Sequence, residues 1–594
     1  MDWRRPLEAA LDAALAAGEI LRRDFHRAGG ARGGGDKAEA DVEAERLIRA
    51  RLREAFPGWG YLGEETGRAP GEAGRPIWLV DPNDGTRDYL AGRRGSAAAI
   101  GLLADRRPVL GVVFAFAYPD DDGDLFTWAE GRGPVRRNGR AAPARLPDAL
   151  GAQDVVLVSS KGDRDPETNL RCVAPARYRT VPSIAHRLAL VAAGEAAAAA
   201  SLFAPGAWDY AAGDALLRGA GAVIVDEEGR EVAYADDGTS QTLRAFAGSK
   251  TAVGELVPRP WAEVSSGPWR GERPASLKPG CAVEDAGLLS RAQGCLLGQI
   301  AGDNLGALVE FDTAAEIAAR HPDGPRLLED GGHWGILAGQ PTDDSEMALA
   351  LARAVVGAGT YDDGKVLEAY RAWYRSGPFD VGDTTRAALV GYLVADSQAN
   401  GSLMRASPLA ILAHRSRPEE AAELGRRDSA LTHPHPVCRD AVAAFVIATS
   451  RAIARGGEAE GAYEAALAWA RSEAVAPVTE TLVRAAAEAP RCDEGHIGWV
   501  LVTLQNAFHE LLHAPSVEAG VVATVRRGGD TDTNGAVAGA LLGAVHGRGA
   551  IPVQWRSMIS SCRPHPLRAA HPRPRSCWPV DALELAEGLL LAGA

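Results

Sequence analysis

Apolar positions open the chain at helical spacing: Leu7, Leu11 and Leu15 recur through "LEAALDAALAAGEILRRDF", with Glu8, Asp12 and Glu19 between them. The pattern predicts an amphipathic first helix, and the interrupting charges leave no apolar core of the length a secretory signal requires. Short β-like runs follow, "PIWLVD", "PVLGVVFAFA", "VVLVSS" and "GAVIVD", mixed with helical stretches such as "DVEAERLIRARLREAF" and "SIAHRLALVAAGEAAAAASL". Between 254 and 285 the periodicity dissolves into "GELVPRPWAEVSSGPWRGERPASLKPGCAVED", a Pro- and Gly-rich stretch of linker composition. Beyond it, long Ala/Leu-rich helical patterns dominate. The expected architecture is an α/β domain over 1–253, a linker over 254–285 and an almost all-helical domain over 286–594.

Length agrees with that division, since 594 residues exceed what one hydrophobic core holds. The formal net charge of -14 argues against general nucleic-acid binding, where a basic face is expected. Acidity suits metal ions better than phosphate backbones. The cysteines are scattered, odd in number and never in a CxxC pair, which supports neither a disulfide framework nor a zinc cluster. A reducing, cytoplasmic location is expected, with no run of about 18 uncharged apolar residues to span a bilayer. Cys295, Cys438 and His186 read as packing residues, and the basic "CRPHPLRAAHPRPR" as a solvated loop.

Candidate chemistry collects in two places. In the first half, "YLGEETG" sets Glu64 and Glu65 after a short apolar run, "IWLVDPNDGTRDYL" sets Asp81 and Asp84 at the end of another, and "GAWDYAAGDALLRGAGA" supplies Asp209 at a helix start. Carboxylates at strand and helix ends, with no His or Cys among them, suit Mg²⁺ rather than Zn²⁺. Taken singly, "DPxDG" is also an ordinary turn and "WD" an ordinary helix cap. Together with "GDKAEADVEAE", these motifs over Leu7 to Val253 resemble the inositol monophosphatase superfamily. The resemblance implies a layered α/β sugar-phosphatase fold. It implies that Glu64, Asp81, Asp84, Asp209 and the carbonyl of Asn83 hold two or three Mg²⁺ ions, with Asp41 supporting the further one. Thr86 with Glu64 would orient the attacking water, Gly85 and Thr86 would meet the substrate, and Lys37 would sit in a mobile loop over the site. Asp88-Tyr89 departs from the pairs frequent in relatives and lies on the expected substrate side.

In the second half, "GQPTDDSEMALALARAVV" opens a helix with Thr342, Asp343 and Asp344, and "GGDTDTNGAVAGALLGAVHG" opens another with Asp530, Asp532 and Thr533. Facing helix starts of this kind enclose cations, although "PTDDSE" alone is also a standard cap. With "AQGCLLGQIAGDNLGALVEF", "NGSLMRASPLAI", "SALTHPHP" and the tail "RPRSCWPVDALELAEGLL", they are similar to the ADP-ribosylglycohydrolase family. The similarity implies an all-α bundle in which those six residues hold two Mg²⁺ ions, Glu310 lies near the attacked ribose carbon, and Asn400, Ser402 and His433 touch ADP-ribose. Ser345 replaces a frequent Thr, and Gln398-Ala399 a frequent Tyr-Gly.

The two resemblances together imply a bifunctional hydrolase, a phosphomonoesterase joined to an ADP-ribosylglycohydrolase. Its partners would be a phosphate-ester small molecule and an ADP-ribosylated protein or small molecule, with no membrane or nucleic acid and with a homodimer through the phosphatase domain. Two alternatives stand beside this: both sites process one phosphorylated ADP-ribose metabolite, or one domain is a ligand-binding regulator.

Overall fold

A computed structural model describes residues 2–142, 146–265, 267–269, 273–495 and 497–593. The chain forms two compact units: Met1–Arg270 with Leu277–Glu284, and Gly271–Ser276 with Asp285–Ala594.

Unit 1 begins with α1 (Arg4–Phe25) and α2 (Glu39–Ala55), which cover one face of an eight-stranded sheet. Its central strands are β1 (Gly60–Gly63), β2 (Ile77–Asp84), β3 (Ala97–Ala104), β4 (Arg107–Ala115) and β5 (Asp124–Ala129). The leucine stripe expected to bury α1 is not the buried face: Leu15 is 40% exposed, whereas Ala10, Ala13, Ala14, Ala17 and Leu21 are fully buried. Small side chains win there because the helix lies close on the sheet, where a Cβ on Gly18 would meet the Phe114 ring.

Two further helices, α3 (Ile184–Ala192) and α4 (Ala207–Gly219), line the opposite face of that sheet, which Gly101 and Gly111 allow α4 to approach. A five-stranded sheet follows, in the order Arg177–Thr180, Val155–Val158, Ala198–Ser201, Ala245–Gly248, Val223–Val225. Its far face carries a core of Leu170, Cys172, Phe246, Leu256 and Trp261. Trp261 lies inside the Pro/Gly-rich stretch, yet it is 3% exposed and donates its indole N–H to the Leu256 carbonyl. An aromatic outweighs linker composition at that point.

Among the described residues no strand lies beyond Gly248, and unit 2 is built of helices. At its centre α5 (Ala286–Gly306) crosses α9 (Thr531–His546), with α6 (Asp343–Ala358), α7 (Pro436–Arg455) and α8 (Val500–His513) around them. The crossing is backbone on backbone: a Cβ on Gly294, Gly298 or Gly302 would run into the carbonyls of Gly543, Gly539 or Gly535. The basic tail is not a solvated loop, because Arg573 is 5% exposed and donates to both carboxylate oxygens of buried Glu346 at 2.8 Å. Cys295 and Cys438 are buried. No helix among the described residues is long and apolar enough to cross a membrane.

Candidate active sites

In unit 1 the register of one strand pair assembles the cleft. β1 and β2 run parallel with Gly63 opposite Val80, so Glu64 leaves β1 beside Asp81, its N–H donating to the Val80 carbonyl at 3.2 Å. Antiparallel pairing of β2 with β3 then breaks between Asp81 and Asp84. That irregularity turns "DPND" out of the ladder. The Asn83 N–H donates back to Asp81 at 2.9 Å, and Gly85, at φ +101, ends the turn in a conformation glycine tolerates.

Asp209 arrives on the first turn of α4 with its carboxylate accepting the Gly206 N–H at 2.7 Å. Oxygens of Asp81, Asp84 and Asp209 lie within 4.8 Å of one another. Burial and mutual repulsion hold Asp81 and Asp209 well above the ordinary carboxylate range. Glu64 is pushed up to about 7 by desolvation of its carboxyl. Asp84 is anchored differently, accepting from the Ser183 hydroxyl at 2.6 Å and the Ala185 N–H at 2.7 Å at the start of α3.

Asp41, raised to about 6 by burial, accepts from Asn83 Nδ2 at 2.8 Å and the Thr86 hydroxyl at 3.1 Å, joining α2 to the turn. The Asn83 carbonyl accepts the same hydroxyl at 3.0 Å. Lys37 is exposed on a two-residue strand of a small hairpin. Asp88 and Tyr89 part company: Tyr89 is 1% exposed and donates to the Leu21 carbonyl, whereas Asp88 accepts from Ser160 and Arg93. The two side chains point apart because consecutive residues of a helical turn do. Sequence reasoning missed Ser183, and it missed Glu45, a buried carboxylate on α2 that accepts the N–H groups of Glu65 and Thr66 and so fixes the loop bearing Glu64.

In unit 2 the glycine-lined crossing of α5 and α9 brings Asp303 and the Thr531–Thr533 turn together. Asp303, fully buried, accepts the Thr342 N–H and hydroxyl and the Ser345 N–H, capping α6 from a neighbouring helix. Asp343 and Asp344 on that first turn are raised well above the usual range by burial and neighbouring carboxylates. One buried oxygen of Asp344 has no hydrogen-bond partner among the described residues. The other oxygen of Asp344 accepts the Thr342 hydroxyl at 3.2 Å.

Backbone bonds stitch the other side. The Phe311 N–H donates to the Gly529 carbonyl and the Gly529 N–H to the Asp312 carbonyl, both at 2.8 Å, which sets Glu310 beside the Asp530–Asp532 turn. Oxygens of Glu310, Asp380 and Asp532 lie within 4.8 Å of one another. Glu310 is pushed up to about 8 by burial and the Asp380 charge, while the Trp334 indole N–H donates to it at 2.6 Å. Asp380 escaped sequence reasoning; it lies in "GPFDVGD", a loop with no repeated or paired signal.

The residues expected to touch ADP-ribose are less open. Asn400 donates to Asp530 at 2.6 Å and to Thr503 at 3.0 Å. Ser402 is fully buried and paired with Ser429 at 2.9 Å. His433 is also fully buried, with Nε2 unpartnered among the described residues, and burial beside Arg405 pushes it down to about 3, so its ring is neutral.

Comparison with known proteins follows this division. The ADP-ribosylglycohydrolase family model matches residues 284–579, and the inositol monophosphatase family model matches residues 2–251. ADP-ribosyl-dinitrogen reductase glycohydrolase of Rhodospirillum rubrum is 33% identical over 45% of this chain and 90% of its own length. Inositol monophosphatase 1 of Solanum lycopersicum is 32% identical over 40% of this chain and 89% of its own length. A solved ADP-ribosylglycohydrolase-related protein complex is 30% identical and covers 52% of this chain and 99% of the solved one, with a TM-score of 0.42.

Proposed function

The chain belongs to two hydrolase families, the inositol monophosphatase family over residues 2–251 and the ADP-ribosylglycohydrolase family over 284–579, and from that premise we propose a bifunctional Mg²⁺-dependent hydrolase. Unit 1 removes phosphate from an inositol, sugar or nucleotide phosphate; unit 2 releases ADP-ribose from a modified protein or small molecule. The observation that carries the reading is that three carboxylates converge within 4.8 Å in each unit, Asp81, Asp84 and Asp209 in unit 1 and Glu310, Asp380 and Asp532 in unit 2. Oxygen donors drawn together against their own repulsion suit a hard divalent cation. Glu64, Asp81, Asp84 and Asp209, with Asp41 behind them, would hold it in unit 1. Thr342, Asp343, Asp344, Asp530, Asp532 and Thr533 would do so in unit 2. Mg²⁺ held by these residues would supply positive charge to offset the charge that develops on phosphate oxygens in one site and to orient a ribose in the other.

In unit 1 Glu64 accepts a proton from a water that the Thr86 hydroxyl orients. The water oxygen bonds phosphorus, the ester P–O bond breaks, and the alkoxide leaves and takes up a proton from solvent. In unit 2 Glu310, in its ionised form, accepts the proton of the water that adds to the anomeric carbon of ribose as the bond to the acceptor breaks, and the acceptor takes up a proton from solvent. The carboxylates around Glu310 favour the oxocarbenium character that develops there.

The test is the full chain with Mg²⁺, assayed for phosphate release from inositol 1-phosphate and for ADP-ribose release from an ADP-ribosylated arginine peptide. Asp81→Ala is expected to abolish the first while sparing the second, and Asp530→Ala to do the reverse. Loss of both activities from either change in a folded protein would overturn the two-site reading.

A further inference from the structure

One side chain of the C-terminal tail grips two parts of the unit 2 site at once. Arg573 directs Nε and Nη2 to the two carboxylate oxygens of Glu346 at 2.8 Å each, and Nη1 to the carbonyls of Ser376 and Gly377 at 3.2 and 2.8 Å. Nη2 also donates to the Ser376 hydroxyl at 2.9 Å, so every N–H of the guanidinium has an acceptor. Glu346 belongs to the first turn of α6, and its own N–H donates to the Thr342 carbonyl at 3.0 Å. Ser376 and Gly377 open the 376–382 loop, which carries Asp380 and ends at Gly382, whose N–H reaches the Asp343 carboxylate at 3.4 Å. Arg573 therefore holds the turn of Thr342, Asp343 and Asp344 with one edge of its fork and the Asp380 loop with the other.

The same stretch of tail supports the loop at a second point. His571 stacks on Phe379 with ring centres 4.7 Å apart, and the Gln340 side chain donates to the His571 carbonyl at 2.9 Å. Phe379 in turn packs 5.8 Å from Trp334, whose indole N–H donates to Glu310. The tail thus meets the loop at Ser376 and Gly377 and again at Phe379, the residue before Asp380. A carboxylate that must stay beside Glu310 and Asp532 against their repulsion needs support of this kind, because a loop has no ladder of its own to hold it. Stability alone is a poor account of Arg573, since a buried arginine–glutamate pair contributes little net relative to apolar side chains of similar volume. What an arginine adds is a planar fork that fixes several acceptors together, which a lysine ammonium does not reproduce.

We propose that Arg573 is a positioning residue for the unit 2 reaction, locking the first turn of α6 to the 376–382 loop so that Asp380 stays beside Glu310 and Asp532. The proposal rests on the glycohydrolase reading of unit 2. It gives the tail a part in the chemistry besides covering the helices. A displacement of about 1 Å in a catalytic constellation costs on the order of 10²-fold in rate, so partial release of the loop is expected to cost about tenfold or more.

The experiment uses the full chain with Mg²⁺ and the ADP-ribosylated arginine peptide. Arg573→Lys keeps a charge opposite Glu346 and removes the fork, while Arg573→Met/Glu346→Gln removes both buried charges together and leaves neither unpaired. Each is expected to lower kcat for ADP-ribose release by about tenfold or more, with phosphate release within about twofold of the parent. Amide hydrogen exchange over 376–382 should become about tenfold faster in Arg573→Lys. Asp380→Asn separates positioning from stability: in its background Arg573→Lys should cost less than about threefold more, because the group it positions is already gone. Arg426→Ala breaks a 2.8 Å ion pair with Asp440 elsewhere in unit 2, and should lower the melting temperature while leaving kcat within about twofold. A kcat within about threefold of the parent in either Arg573 variant would overturn the proposal, as would unchanged exchange of the loop. So would a full tenfold loss recurring in the Asp380→Asn background, or a loss as large in Arg426→Ala. Absence of ADP-ribose release by the unsubstituted chain would instead remove the glycohydrolase reading and the proposal with it.

Discussion

Replacing Gly298 with Ala tests whether the unit 2 site depends on the backbone contact of α5 and α9. The added methyl would meet the carbonyl of Gly539 well inside the 3.0 Å that real Cβ atoms respect, and the obstacle is backbone rather than a movable side chain. The helices must part by about 1 Å, and overpacking of this kind costs ~1–3 kcal/mol. Alanine's higher helix propensity returns somewhat under 1 kcal/mol, which leaves a net loss of up to about 2 kcal/mol. For a unit of this size, at about 2.1 cal/mol/K of unfolding entropy per residue, that lowers the melting temperature of its transition by up to about 3 °C. The same displacement separates Asp303 and Glu310 on one side from Asp532 on the other, and a shift of about 1 Å in a catalytic constellation costs on the order of 10²-fold in rate. The assay pairs calorimetry of the full chain with both activities, phosphatase serving as the internal control. Gly357→Ala, on α6 with nothing within 4 Å of the new methyl, should instead be neutral or stabilise by about 0.5 kcal/mol. The reasoning is refuted if Gly298→Ala melts and turns over like the parent protein.

Three further outcomes follow from the same geometry. Ser183→Ala removes the 2.6 Å donor to Asp84, a hydrogen bond to a buried charge worth about 1.5–3 kcal/mol. It should raise the Mg²⁺ concentration for half-maximal phosphatase activity by about tenfold, and an unchanged Mg²⁺ titration would show that the hydroxyl positions nothing. Asp380→Asn should lower ADP-ribose release by about 10²-fold and spare phosphate release; a rate within threefold of the parent would separate Asp380 from the chemistry. The third concerns pH in EDTA. Glu310 is raised to about 8 and Asp303 to about 7 in the folded chain, above the ordinary carboxylate range of the unfolded one. The folded state then binds more protons, so stability is full at low pH and falls as pH rises through about 8, by at most ~1.4 kcal/mol per pH unit for each such proton. Mg²⁺ should flatten that fall. Urea denaturation at pH 5.5 and 8.5, with and without the ion, reads the sign, and greater stability at pH 8.5 in EDTA contradicts it.

What was legible in the sequence is what local backbone chemistry announces. Asp81, Pro82 and Gly85 mark a turn at a strand end, and Thr342 and Asp530 mark helix starts, because those residue types shape the chain within a few positions. Strand and helix runs marked the two units for the same reason. What escaped depends on pairing across long stretches. Asp303 holds Thr342, the cap of a helix, from 39 residues earlier, and Asp380 joins Glu310 and Asp532 through a loop whose own sequence carries no period. Glu45 holds the Glu65–Thr66 loop from a neighbouring helix, where its sequence context is an ordinary charged face. Composition misled at α1 and at the basic tail for a related cause. Leucine count says nothing of how close a helix must lie to a sheet, and a run of Arg and Pro says nothing of a buried Glu346 waiting for Arg573. The glycines of α5 and α9 connect the two kinds of information. Their spacing is written locally in each helix, yet its consequence, two backbones in contact with an acidic residue set at the end of each, exists only once the helices meet. A site assembled this way depends on the small residues beneath it as well as on its carboxylates, so Gly298→Ala tests the scaffold where Asp530→Ala tests the chemistry.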